Sequence, residues 1–259
     1  MQLHMHEWGT EGAAPIVCLH GLTSHGERYA PLAEEHLVPK WFHVLAPDLR
    51  GHGRSDWEPP WHLETLVSDV FDTLDARGIE RATFMGHSLG GRLVLEVAAL
   101  APERLERAVL LDPAIQVLPH VAYDSAEDAC RERAYDSVAA AVDERMEGEP
   151  FTPRSFVEAD YALHFVEGSD GKWRPRHSTA AAVTLYSELA RTPPPASTLK
   201  VPTLLVYAPA YGLVRDDQLD TYRSALGDKL TVVEVPGRHM VMWDAYDETA
   251  AALTAFLRG

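Results

Sequence analysis

The sequence predicts an α/β protein with a mostly parallel, doubly wound sheet that is interrupted by a helical insertion. Short apolar runs alternate with helix-period segments over the first 112 residues. The alternation stops near residue 115 and resumes after Pro193-Pro194-Pro195. Strands alternating with helices imply a parallel sheet covered on both faces. A long interruption between two such stretches implies an insertion rather than a second fold.

Leu3 to Trp8 alternates apolar and polar residues, as a half-buried strand does. Pro15 to Leu19, Phe42 to Ala46, Ala82 to Met85 and Ala108 to Leu111 are short apolar runs of buried-strand type. His62 to Ala76 carries Leu63, Leu66, Val70, Phe71 and Leu74 at close to a 3.6-residue period. Leu89 to Leu100 is apolar almost throughout and suits a helix buried against a sheet. From Ile115 to Ser197 no strand-like run is expected. Ser125 to Met146, Ser155 to Phe165 and Thr179 to Ala190 read as helices, and Gly168 to Pro175 as a turn-rich break. Strand Thr203 to Tyr207, helix Asp217 to Leu226, strand Leu230 to Val235 and helix Tyr246 to Leu257 complete the chain. The expected division is a core of residues 1–114 and 199–259 with a helical cap of residues 115–198.

The chain carries 39 Asp and Glu against 23 Lys and Arg, a formal charge of −16. That balance argues against nucleic acid or an anionic membrane surface as partner. It disfavours an anionic substrate only weakly, because a local pocket can reverse a global field. Two cysteines, Cys18 and Cys130, are too few for a disulfide scaffold and are expected as free thiols. The N-terminal residues lack a signal-peptide pattern, and no run approaches roughly 18 uninterrupted apolar residues. The expected location is the cytoplasm. Oligomeric state has no signature.

Chemistry concentrates in four loops, each following an expected strand. Gly86-His87-Ser88-Leu89-Gly90-Gly91 matches G-x-S-x-G between a strand and a long apolar helix. A turn this tight strains the serine backbone and excludes neighbours larger than glycine, holding the hydroxyl above the carboxyl edge of the sheet at a helix N-terminus. His20-Gly21-Leu22-Thr23 follows an earlier strand, so its loop would lie beside the first. Asp48-Leu49-Arg50-Gly51-His52-Gly53-Arg54-Ser55 and Pro236-Gly237-Arg238-His239-Met240 are the other two. His4 and His6 share one strand face and read as an exposed pair; no cluster has zinc-ligand spacing.

Together these motifs resemble the serine α/β-hydrolases with a helical cap. The resemblance runs from Gly21 to His239 and leaves the insertion unmatched. It implies Ser88 as nucleophile, His239 as general base, and the backbone N–H groups of Leu22 and Leu89 as the oxyanion hole. His20 is expected to anchor its loop, and the Asp48 loop to be structural. One departure stands out. Where relatives carry a glycine and the triad acid after the strand that follows the cap, this chain has Ala208 and Ala210. Asp112, after the earlier strand, is the expected substitute. Asp216 and Asp217 are rivals and also read as a helix start.

The expected reaction is acyl transfer through an acyl-enzyme on Ser88, cleaving a small or medium, neutral, partly apolar carboxylic ester or lactone. No cofactor and no metal are implied. Two alternatives stay open. One is cofactor-free perhydrolysis or carbon–carbon bond hydrolysis on the same triad. The other is a non-catalytic ligand receptor on this scaffold.

Overall fold

The computed structural model describes residues 1–258. Its main sheet has seven strands: β1 (Met5–Trp8), β2 (Ala14–Leu19), β3 (Phe42–Pro47), β4 (Ala82–His87), β5 (Leu105–Leu111), β8 (Thr203–Tyr207) and β9 (Leu230–Glu234). They lie in the order β1-β3-β2-β4-β5-β8-β9. Only β1 runs antiparallel to its neighbour. The remaining strands, β6 (Phe165–Glu167) and β7 (Trp173–Pro175), form a separate antiparallel hairpin.

Alternate residues of the central strands feed opposite faces. Val17, Leu19, Phe84, Leu110 and Leu205 pack under α2 (Leu63–Asp75), α3 (Leu89–Leu100) and α8 (Asp216–Leu226). Ile16, Cys18, Met85, Val109 and Leu204 pack on the other face. That face is covered by α1 (Ala30–Leu32) with its flanking helical turns, by α9 (Val241–Asp244) and by α10 (Tyr246–Arg258). Burial on both sides explains why the central strands read as continuous apolar runs. Cys18 and Cys130 are free thiols, the first buried and the second exposed.

The segment between β5 and β8 holds α4 (Pro119–Ala129), α5 (Val138–Met146), α6 (Arg154–His164), the β6–β7 hairpin and α7 (Thr179–Leu189). Two expectations are corrected here. Ser125 to Met146 is not one helix: Ser137 caps α5 by accepting from the Ala140 N–H at 3.1 Å. The chain before it pairs instead with the hairpin, through Tyr135 N–H to Trp173 C=O at 2.9 Å and the reciprocal bond at 2.8 Å. That pairing overrides local helix propensity. The β6–β7 pairing likewise places short strands where none was expected, β7 within the stretch read as a plain turn.

Polar ties seat this segment on the sheet. Buried Arg92 on α3 donates to Glu96 at 2.8 Å and to the carbonyls of Ile115, Arg191 and Thr192, at both ends of the segment. Asp160 on α6 is buried and binds Arg28 through two bonds, at 2.9 and 2.6 Å, and His25 at 2.9 Å. Burial would raise its pKa, but these partners more than compensate and hold the carboxyl below its ordinary range. No described helix is long and apolar enough to cross a membrane.

Candidate active site

Register brings the strand ends level. His87 of β4 pairs with Leu111 of β5, which pairs with Val206 of β8; next along, Tyr207 pairs with Glu234 of β9. The residues that follow, Ser88, Asp112, Ala208 and the 235–240 loop, therefore emerge at one edge.

Ser88 has φ +53° and ψ −115°, a conformation L side chains rarely adopt. Main-chain bonds hold it there. Its N–H donates to Leu111 C=O at 3.2 Å, and its C=O accepts from Arg92 and Ala114. The flanking glycines are steric necessities. A Cβ on Gly86 would lie 2.1 Å from the Gly90 oxygen, and one on Gly90 1.8 Å from the Leu19 oxygen. The Gly21 loop runs against the serine: a Cβ on Gly21 would lie 3.2 Å from Ser88 Cβ. Among the described residues, neither the Leu22 nor the Leu89 N–H has a backbone acceptor. His20 is buried and donates Nδ1–H to Gly21 C=O at 2.7 Å, while Nε2 accepts from the Leu49 N–H at 2.9 Å. It anchors the loop.

His239 Nδ1–H donates to Asp112 Oδ2 at 2.6 Å. That bond leaves the lone pair on Nε2. Asp112 is wholly buried at φ +39°. Its N–H donates to Val206 C=O at 2.7 Å, and its Oδ1 accepts from the Ala208 N–H at 3.4 Å. Asp216 and Asp217 lie elsewhere, opening α8, where Asp217 pairs with Arg215 at 3.1 Å. Burial pushes the Asp112 carboxyl up to about 7 and the His239 imidazole down to about 4. Two groups in a 2.6 Å contact titrate as a unit.

Two neighbours of His239 were not singled out in the sequence. The Tyr211 ring stacks on the imidazole, with centroids 4.9 Å apart and planes at 11°. The His87 ring lies 4.6 Å away, and its Nε2–H donates to the His239 carbonyl at 2.8 Å. His87 could have been noticed, because it sits beside the serine in the G-x-S-x-G run. Tyr211 carried no pattern beyond being an aromatic in the loop that lacks its usual acid.

Ser88 and His239 open onto a cavity of about 420 Å³. Of the aromatic residues between β5 and β8, Tyr135, Tyr161, Phe165 and Tyr186 line it. Phe156 instead stacks on Trp243, and Tyr123 is exposed.

At the N-terminal end of β1, beside the carboxyl end of β3, His4, His6 and Asp48 bring ligand-type atoms within 4.8 Å of one another. Asp48 is already occupied. Oδ1 accepts from Gly26 N–H at 2.8 Å and His6 at 3.0 Å, and Oδ2 from Arg54 N–H at 2.8 Å. The group is a hydrogen-bonded brace, and His6 is a half-buried member of it rather than half of an exposed pair.

Comparison with known proteins agrees with this architecture. The model of the α/β-hydrolase-fold family matches residues 14–246. The chain belongs to that family. It is 31% identical over 261 residues to the lipase LipV of Mycobacterium tuberculosis, covering 99% of this chain and 98% of that one. It is 31% identical over 170 residues to the esterase YbfF of Escherichia coli, covering 62% and 61%. Among solved structures, E-2-(acetamidomethylene)succinate hydrolase superposes with a TM-score of 0.88 at 24% identity, covering 99% of this α/β-hydrolase and 95% of the other chain.

Proposed function

We propose that this α/β-hydrolase is a serine carboxylic-ester hydrolase that cleaves a small or medium ester or lactone through an acyl-enzyme on Ser88. The observation that carries the reading is the 2.6 Å contact of His239 with Asp112 at the sheet edge where Ser88 sits in its strained turn. The lipase and esterase names of relatives support ester chemistry over other hydrolytic reactions.

In this reading Asp112 fixes the tautomer, so His239 Nε2 takes the Ser88 proton as Oγ attacks the acyl carbonyl. The Leu22 and Leu89 N–H groups hold the oxyanion of the tetrahedral intermediate. Imidazolium then protonates the departing alcohol, and the freed base activates water to release the acid. Residues 115–198 form the cap that roofs the cavity. Stoichiometric labelling of Ser88 by a fluorophosphonate, with turnover of short p-nitrophenyl esters, supports this reading. Absence of both would favour a ligand receptor.

The pH dependence follows from the pair. Its working state holds one proton, on His239 Nδ1, and falling pH adds a second. Burial pushes the imidazole down to about 4 and the carboxyl up to about 7, and the more basic site of the pair takes the added proton first, so uptake centres near the higher value. The expected kcat/KM profile for a p-nitrophenyl ester is a plateau above about pH 8 and a single descending limb with its midpoint near about 7. A flat profile down to pH 4, or a midpoint above 8, would remove His239 as base.

A further inference from the structure

Three arginines line the cavity that holds Ser88: Arg28, Arg133 and Arg145. Arg28 is distant in sequence from the other two, and all three bear electrostatically on the phenol of Tyr161, which lines the same cavity. In a chain of net charge −16, a cavity lining with three cations against one carboxylate, Asp128, is a local departure from the overall balance.

Their partners leave donors unused. Arg28 uses Nε and Nη2 on Asp160, whose carboxylate is also held by His25. Arg133 uses Nη2 on Asp128, itself a lining residue, at 2.6 Å. Arg145 on α5 uses only Nη1, on Glu149 at 2.9 Å; its Nε and Nη2 have no acceptor among the described residues. Glu149 engages only that one nitrogen. Its Oε1 accepts from the Phe151 and Thr152 N–H groups, and Arg238 lies 3.9 Å from Oε2. A guanidinium with an open edge beside a cavity is suited to bind a planar carboxylate.

We propose that the ester or lactone cleaved at Ser88 carries a carboxylate, and that Arg145, with Arg133 beside it, binds that carboxylate. The inference rests on the proposed hydrolase function and replaces the neutral substrate expected from the chain's overall charge. Asp128 opposes an anion and offsets Arg133, and Arg131 at 3.3 Å in turn offsets Asp128, which leaves Arg145 as the principal contact.

Two matched substrate pairs test it. Mono-p-nitrophenyl succinate against p-nitrophenyl butyrate places the carboxylate on the acyl side. 4-Acetoxybenzoate against phenyl acetate places it on the alcohol side. Wild-type kcat/KM is expected to favour the anionic member of at least one pair by about tenfold or more. Arg145→Gln should reduce that preference roughly tenfold to a hundredfold, the worth of one charged hydrogen bond, chiefly through KM. Arg145→Lys should restore part of it. Arg133→Gln provides a second variant should Arg145→Gln fold poorly. Equal or better turnover of the neutral member in both pairs overturns the inference while leaving the hydrolase reading intact. So does a preference that neither arginine variant changes. No turnover of any of the four, with no fluorophosphonate labelling, overturns the hydrolase reading itself.

Discussion

Ser88→Ala is expected to abolish ester turnover, by about 10⁴–10⁶ in kcat, because members of a triad act as a unit. The fold should survive. What holds residue 88 in its strained turn is main chain: the N–H bonded to Leu111 and the C=O bonded to Arg92 and Ala114. Alanine keeps all three bonds, and the Ser88 side chain makes no helix-capping bond for the variant to lose. The thermal midpoint should therefore move by less than about 2 °C. Initial rates on a p-nitrophenyl ester, with far-ultraviolet circular dichroism melts, check both halves. If Ser88→Ala kept more than about a tenth of wild-type rate, the nucleophile would be another residue.

That turn was legible from sequence because its constraints are local. The Gly86 and Gly90 positions admit no Cβ, as the backbone oxygens of Gly90 and Leu19 would lie within it. A steric demand that strict leaves glycines at fixed spacing, and the flanking strand and helix identify the turn. The parallel core was legible for a similar reason, since strands buried on both faces and an almost wholly buried α3 leave apolar runs. The misread features depend on distant partners. Tyr135 leaves the helical pattern because it pairs with Trp173, and His6 is drawn into a brace by Asp48. Arg28 joins Arg133 and Arg145 around one cavity only after folding, so their positions in sequence gave no hint of three guanidinium groups beside Ser88.

Asp112→Asn is expected to keep the fold and lose about 10²–10⁴ in kcat, as loss of a triad aspartate does elsewhere. The side-chain shape is preserved, and an asparagine oxygen can still accept from the Ala208 N–H. The other position then presents an amide N–H to His239 Nδ1, which must accept instead of donate. The imidazole proton moves to Nε2, and the nitrogen facing the cavity can no longer take one from Ser88. Stability should not fall with activity. Burial raises the Asp112 pKa to about 7, so the folded state binds a proton more tightly there than the unfolded chain does. His239, which titrates with it as a unit, is shifted the opposite way, so the two contributions to stability largely cancel over the pair. At pH 8 the Asp112→Asn melting temperature should lie close to that of wild type, read by far-ultraviolet circular dichroism. Asp216→Asn and Asp217→Asn should each stay within about threefold in rate, since helix-start carboxylates contribute only about 0.3–1 kcal/mol and to stability alone. The reverse pattern, with Asp112→Asn near wild type and Asp216→Asn or Asp217→Asn impaired, would place the acid on α8 and make the Asp112 contact purely structural.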